Sequence, residues 1–162
     1  MVAYRGQFDH LVREADRGRA ILNTRTIAVF DDGLVVCAVP VYGDAPKPDG
    51  GLLRSLRRTG GARGRTAGPG RGEELVRSRA QLAGSSVTFA PAWAKAQLIP
   101  LAVIDKVVLT RPWQVSELAI YLQTADPANP DKSTYLGDLS AEAVRDALAP
   151  VLGDRLRIEI PR

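Results

Sequence analysis

The chain has 162 residues, of which 45% are hydrophobic and 25% are charged, and both values are ordinary for a globular domain with a proper core. No run approaches the roughly 18 apolar residues of a membrane span, and charges throughout the N-terminal segment predict that it is not a signal peptide. The single cysteine, Cys37, excludes an intrachain disulfide framework. We therefore expect a cytoplasmic protein, with attachment to the inner face of the membrane as an alternative.

The formal net charge of +4 has an uneven origin along the chain. Eight arginines lie between Arg54 and Arg79 together with only two acidic residues, Glu73 and Glu74, so this stretch carries +6. The remaining residues hold 14 basic and 16 acidic groups. We therefore expect a basic, glycine- and arginine-rich insertion, partly disordered over residues 50–82, within a single near-neutral domain that spans residues 1–162.

The N-terminal part of the chain predicts a helix followed by a β-hairpin. Apolar residues at helical spacing predict a short amphipathic helix over Gln7–Asp16, which Gly18 ends. Two β-branched runs within Ala20–Pro40 are separated by Asp31-Asp32-Gly33 and predict a hairpin. We expect Gly33 to supply the positive φ that such a turn needs.

The insertion itself predicts little stable structure in its first part. The run GGLLRSLRR, from Gly50 to Arg58, predicts a two-turn amphipathic helix, which is marginal alone in water. The stretch TGGARGRTAGPGRG, over residues 59–72, predicts a flexible chain. A second helix is expected from Glu73 to Leu82, because its two acids stand at the N-terminal end, where the helix dipole favours them.

The β pattern returns in the second half of the chain. Short strands are expected over Val87–Ala90 and, after Leu98-Ile99-Pro100, over Val103–Thr110. A second hairpin is predicted from Ser116 to Leu136, because Leu118, Ile120 and Leu122 alternate along its first strand and a turn rich in proline and asparagine follows.

A C-terminal helix gives the clearest pattern. Ser140 is a good N-cap, and an apolar stripe with period 3.6 predicts a helix over Ala141–Leu152 that Gly153 ends. The alternating segment Leu156–Ile160 predicts a final strand or an ordered tail.

Few residues suit catalysis or metal binding. His10 is the only histidine and therefore the only available base for a hydrolase of the Ser-His-Asp or Cys-His kind. A packing or surface role is the simpler interpretation of His10. Cys37 lies within an apolar strand and is expected to pack as a small hydrophobe. Asp31 and Asp32 are adjacent carboxylates that turn chemistry explains better than a metal or acid–base pair. We expect no catalytic residues, no metal site and no cofactor.

The order of these elements carries a family resemblance. The hairpin Arg25–Val36, the strand motif Ile99–Leu109, the hairpin Leu118–Leu136 and the helix Ser140–Leu148 resemble, in this order, bacterial pleckstrin-homology-like (PH-like or GRAM-like) domains. The resemblance implies an α+β fold, in which an antiparallel β-roll or barrel is capped by a C-terminal helix. The chain departs from lipid-binding members at its first hairpin loop, because Asp31-Asp32-Gly33 is acidic and repels phosphate.

These observations favour a non-enzymatic binding or scaffolding module, attached to an anionic membrane surface through its insertion. Three leucines would enter the lipid and the arginines would meet headgroups. The expected contacts are Leu52, Leu53, Arg54, Leu56, Arg57, Arg58, Arg63, Arg65 and Arg71.

Three other interpretations remain open from the sequence. The insertion is an inert solvated loop in the first. In the second, the chain is a protein–protein adaptor that binds an unidentified protein through a sheet edge or the groove beside the C-terminal helix. Nonspecific nucleic-acid binding is the third, and it is disfavoured because no aromatic residue between Arg54 and Arg79 can stack on bases.

Overall fold

We describe the fold from a computed structural model of the chain. The structure describes residues 2–18, 23–41, 71–113, 116–125 and 132–160. The predicted helix over Gly50–Arg58, the glycine-rich stretch up to residue 70 and most of the turn Asp126–Lys132 lie outside the described residues.

The described residues form an α+β fold built on one mostly antiparallel sheet of eight strands. The order across the sheet is β4-β3-β2-β1-β7-β6-β5-β8, and the last pair, β5 and β8, is parallel. The strands are β1 (Tyr4–Arg13), β2 (Asn23–Phe30), β3 (Gly33–Pro40), β4 (Gln97–Pro100), β5 (Ile104–Thr110), β6 (Leu118–Thr124), β7 (Lys132–Gly137) and β8 (Leu156–Glu159). The helices are α1 (Arg71–Ala83), α2 (Ser86–Phe89) and α3 (Ala141–Leu152).

The hairpin of β2 and β3 confirms the sequence prediction. Asp31 and Asp32 form its two-residue turn, and Phe30 pairs with Gly33 at the ends of the strands. Gly33 has a φ of +156°, and β4 approaches it closely on its other side. The strands show little apolar–polar alternation because both faces of this hairpin are covered, which is why the sequence contains near-continuous β-branched runs.

The prediction of a helix in the N-terminal segment is wrong, because this segment forms the strand β1. Its pairing with β2 shifts register between Tyr4 and Gly6 and again between Phe8 and Leu11. His10 lies in the second irregularity with a φ of +58°. Such bulges bend a strand, and the C-terminal part of β1 goes on to pair with β7. The bend allows β1 to join the two halves of the sheet.

One core lies between the sheet and α3. Helix α3 begins after Ser140, whose hydroxyl accepts a hydrogen bond from the Ala143 N–H, as predicted. Its residues Val144, Leu148 and Leu152 are buried one turn apart, and each such aliphatic side chain contributes about 1.5–3 kcal/mol when fully buried. The strands supply the remainder of this core through Phe8, Leu11, Ile27, Val29, Leu34, Val36, Ile99, Ile104, Val107, Leu109, Leu118, Ile120, Leu122 and Tyr135.

A second core lies on the opposite face of β2 and β3, beneath α1 and α2. The predicted helix over Glu73–Leu82 is confirmed by α1, which buries Val76 and Ala80. The predicted strand over Val87–Ala90 is wrong, because Ser85 caps the short helix α2 there by accepting a hydrogen bond from the Thr88 N–H. The helical conformation places Phe89 against Phe30, with ring centroids 5.6 Å apart.

The C-terminal part of the chain completes the sheet as predicted. Strands β6 and β7 pair as the second hairpin, and β6 turns alternate residues into the core under α3. Of the two alternatives for the segment after α3, the structure contains the strand, β8. Gly153 ends α3 with a φ of +54°, so that the chain can turn back along β5.

We expect Gly33→Ala to lower the free energy of unfolding by about 2–4 kcal/mol. A Cβ atom at this position would lie 2.5 Å from the Ile99 carbonyl oxygen, and backbone cannot move away as a side chain can. Urea denaturation followed by far-UV circular dichroism measures the loss.

The matched control is Gly18→Ala, because Gly18 has a φ of +84° but a Cβ atom added there would meet no heavy atom of the described residues within 4 Å, its chain neighbours aside. Gly18→Ala should lower the free energy of unfolding only by the conformational penalty of about 1–2 kcal/mol. Equal losses for the two variants would contradict the role assigned to the contact between β3 and β4.

Candidate functional site

The predicted anion contact falls mostly on residues whose placement the structure does not describe. Leu52, Leu53, Arg54, Leu56, Arg57, Arg58, Arg63 and Arg65 lie outside the described residues. Arg71 is the first residue of α1 and is exposed. The structure therefore defines the two ends of the insertion, at Val41 after β3 and at Arg71.

The segment between these two ends carries the net charge of the whole chain. Residues 42–70 contain six basic residues and two acidic ones, which gives +4, the formal charge of all 162 residues. The rest of the protein is therefore balanced, with 16 basic and 16 acidic residues. A field that attracts anions is concentrated in one segment rather than spread over the domain.

Helix α1 holds one end of this segment firmly on the sheet. The guanidinium carbon of Arg79 lies 5.0 Å from the centre of a Trp93 ring, and the indole N–H donates to the Ala38 carbonyl oxygen at 2.8 Å. Arg79 and Trp93 are both buried, and burial lowers the pKa of the Arg79 guanidinium. Arg79 is thus a packing residue, and it is removed from the set of arginines that face solvent.

The first turn of α1 is held by a polar cluster on β1. The Gln7 side-chain amide donates to the Glu73 carbonyl oxygen at 2.9 Å and to an Asp9 carboxylate oxygen at 2.7 Å. Asp9 also accepts a hydrogen bond from the Thr26 hydroxyl at 3.2 Å. His10 is exposed, and its Nδ1 lies 3.3 Å from a carboxylate oxygen of the buried Glu73. These contacts give His10 a docking role, which supports the simpler interpretation of this residue.

The two aspartates of the first hairpin turn serve structure. Asp31 accepts hydrogen bonds from the Arg5 guanidinium and, at 3.1 Å, from the Ala3 N–H. The hydrogen bond from Arg5 lowers the pKa of the Asp31 carboxyl. Asp32 accepts a hydrogen bond from the Ser86 N–H at 3.0 Å, and this bond ties the turn to α2. Across the described ranges, no group of three or more His, Cys, Asp and Glu residues is arranged to hold a metal ion.

Cys37 is buried in the core beneath α1 and α2. Burial raises the pKa of its thiol, so the thiolate that a nucleophile or a metal ligand requires is suppressed. The packing role expected from the sequence agrees with this placement.

A groove that the sequence did not predict lies on the outer face of β5, β6 and β7, opposite α3. This groove has a volume of about 390 Å³, and its floor contains Val108, Tyr121 and Leu136. Glu14 and Glu159 also line it. The alternation of outward residues along β5 and β6 is visible in the sequence, but the concavity depends on how the sheet bends.

An exposed tryptophan lies beside this groove. Trp113 follows β5 with 90% of its surface exposed, and the neighbouring Pro112 lines the groove. The Trp113 side chain therefore faces solvent and does not fold over the end of the sheet. Large exposed aromatic residues are typical of contact surfaces.

Comparisons with known proteins add no assignment. The chain matches no protein-family model and none of the curated proteins. Within the described part of the chain, no helix combines the length and the apolar character that crossing a bilayer requires.

We expect Arg79→Ala to lower the free energy of unfolding by about 2 kcal/mol, because it removes a buried stem and its contact with Trp93. The control on the same helix is Arg77→Ala, whose side chain is half exposed and lies 4.0 Å from Asp9. That change should cost less than about 0.5 kcal/mol. Urea titrations compare the two variants, and similar losses would show that Arg79 does not anchor α1.

We expect the Cys37 thiol to react with Ellman's reagent about a hundredfold more slowly in the native protein than in the unfolded chain, because only local opening exposes it. A Cys37→Ala/Ser78→Cys variant is the control, since Ser78 is exposed on α1 and its replacement should react at once. Rapid labelling of native Cys37 would contradict the packing role.

Proposed function

We propose that the chain is a non-enzymatic binding module of PH-like type, which attaches peripherally to an anionic membrane surface through its basic insertion. The observation that carries this proposal is the segregation of charge, since residues 42–70 hold the entire formal +4 while the rest of the chain is balanced. In a domain whose other charges balance, the basic segment carries the net attraction for an anionic surface.

The order of elements supports the PH-like type. The hairpin of β2 and β3, strand β5, the hairpin of β6 and β7 and helix α3 follow one another as the resemblance implies. Helix α3 packs on the sheet through an apolar stripe, as a capping helix does. Strands β1 and β8 and the pair α1 and α2 are additions to this plan, and α1 and α2 directly follow the insertion in the chain.

The anchoring of the insertion supports a role in attachment. Strand β3 precedes it and helix α1 follows it, and both contribute to the core that contains Trp93. The Trp93 hydrogen bond to Ala38 and the Arg79 contact link these two ends within one packed layer. A force applied to the insertion by a bound surface is therefore transmitted directly to the folded domain.

The first hairpin turn does not suit a phosphorylated headgroup. Asp31 and Asp32 are acidic, and both carboxylates are engaged within the protein, with Arg5 and with the Ser86 N–H. Phosphate would meet like charge there. The expected anion contact is therefore the insertion and not that turn.

The expected strength suits reversible attachment. Each basic residue near an acidic leaflet contributes about 1 kcal/mol, so the five arginines between Arg54 and Arg65 would supply about 5 kcal/mol in total. The leucines at positions 52, 53 and 56 would add apolar burial. Because the contribution rests on charge, attachment should weaken as the salt concentration rises.

The absence of catalysis is part of the same proposal. His10 contacts Glu73 where α1 docks on β1, and the Cys37 thiol is buried and held neutral. A buried, neutral thiol is not the activated nucleophile that acyl-transfer chemistry uses.

The second candidate function is a protein–protein adaptor. The specific observation in its favour is Trp113, which is exposed beside the groove on the outer face of the sheet. In this alternative the insertion is inert, and a protein partner binds the sheet instead of a membrane.

The test is co-sedimentation with vesicles at physiological salt, with phosphatidylserine-containing vesicles compared with neutral phosphatidylcholine vesicles. The decisive variant replaces Arg54, Arg57, Arg58, Arg63 and Arg65 by glutamine and leaves α1 in place. We expect the intact chain to bind only anionic vesicles and this variant to lose at least about tenfold in affinity.

A charge-matched control replaces five exposed basic residues elsewhere by glutamine, namely Arg17, Lys95, Arg111, Lys132 and Arg145. The control should keep most of the binding. Equal losses in the two variants would show that net charge, not the insertion, governs attachment. Failure of the intact chain to bind anionic vesicles would overturn the proposal and leave the adaptor, and preferential binding to single-stranded RNA would favour nucleic acid.

A further inference from the structure

The edge strand β8 has a backbone side that no described strand covers. β8 stands last in the sheet order and pairs only with β5, in parallel, with Val107 opposite Leu156 and Leu109 opposite Ile158. Unpaired N–H and C=O groups along such an edge are a template for another strand. The opposite edge is less suitable, because β4 ends in Pro100, which has no N–H to donate.

The side chains of β8 alternate between two kinds of surface. Leu156 and Ile160, the residue directly after β8, pack against the core on the α3 side. Ile158, on that same face of the strand, is 47% exposed. Arg157 and Glu159 lie on the outer face and are exposed. Ile158 is thus an apolar side chain that stays exposed on this edge between two residues of opposite charge.

We propose that β8 pairs antiparallel with β8 of a second copy of this chain, so that two sheets join edge to edge about a two-fold axis. A two-fold contact presents the same patch from both copies, so the patch must be complementary to itself. The sequence of β8 meets this condition in one register.

The backbone limits the possible registers. Successive residues of a strand direct their N–H and C=O groups alternately to one neighbour and to the other, so two directly opposed residues either both face the shared edge or both face away from it. In a self-pairing strand, opposed residues must therefore both be even-numbered or both be odd-numbered. Three registers satisfy this rule near the middle of the strand, and they centre on Arg157, Ile158 or Glu159.

Charge selects among the three registers. Centring on Arg157 places two arginines opposite each other, and centring on Glu159 does the same with two glutamates, which is destabilising. Centring on Ile158 places Arg157 opposite the partner's Glu159. By symmetry, Glu159 lies opposite the partner's Arg157, so the contact contains two opposite-charge pairs.

The same register also matches the apolar face. Ile158 meets the partner's Ile158 on the axis, and Leu156 meets the partner's Ile160. These side chains lie on the face of the sheet that α3 covers. In the pair, the α3-covered faces of the two sheets therefore form one continuous surface. Ion pairs on one face and aliphatic pairs on the other are the contacts that fix register between antiparallel strands.

The decisive experiment is sedimentation velocity of the full chain and its variants over about 1 μM to 1 mM, a range that covers weak dimers. The intact chain should dimerise. Arg157→Glu and Glu159→Arg should each weaken the dimer about tenfold or more, because both symmetric pairs turn repulsive. The control is Arg17→Glu, an equal change of charge at an exposed position after β1, which should leave the dimer unchanged.

An equimolar mixture of the two weakened variants should dimerise again, because glutamates on one copy then face arginines on the other. The double variant R157E/E159R should also recover the homodimer. Ile158→Asp is an independent test, since it places two carboxylates on the axis and should abolish pairing. The buffer contains no lipid, so this result is separate from that of the vesicle experiment.

The inference is overturned if the intact chain stays monomeric over this range. It is also overturned if the single charge variants dimerise as the intact chain does, or if their mixture stays monomeric after each has lost pairing. Circular dichroism of every variant establishes that it is folded before its sedimentation is compared.

Discussion

The burial of the β2–β3 hairpin on both faces is the constraint on which the rest of the structure depends. Ile27 and Val29 point towards α3, and Ala28 and Phe30 point towards α1 and α2. A hairpin buried on both sides cannot slip by one residue without exchanging its two cores, so its register is strongly specified. Every helix in the described part of the chain is placed by packing on one face of the sheet or the other, and the two layers are joined through this hairpin.

This arrangement also determines what the basic segment can do. It follows β3 and precedes α1 in the chain, and both of these elements belong to the layer on the outer side of the hairpin. The cation–π contact of Arg79 and the polar cluster around Glu73 hold α1 in that layer. A pair of copies joined through β8 would carry two basic segments, and two weak contacts with one surface bind more tightly than either does alone.

Much of the fold could be predicted from the sequence, and the errors have identifiable causes. The segment predicted as an N-terminal helix is β1, where Phe8 and Leu11 are both buried although residues at this spacing point to opposite faces of a regular strand. The register shift near His10 makes this possible, because a bulge adds a residue and restores the side chain to the same face. This spacing is therefore shared by a helix and a bulged strand. The predicted strand at Val87–Ala90 is a helix, because Ser85 caps it and Phe89 packs on Phe30.

The sequence by itself determined the local elements whose patterns are strong, namely the hairpin with its Asp31-Asp32 turn and the helix after Ser140. It also determined the location of the charge, since electrostatic imbalance is a property of composition. Only the tertiary structure decided which residues of those elements are available. It buried Arg79 against Trp93 and left Trp113 in solvent, although both tryptophans and every arginine of the segment look alike in the sequence. The physical reason is that exposure depends on which surfaces meet, and contacts such as that of α1 with β3 join residues far apart in the chain.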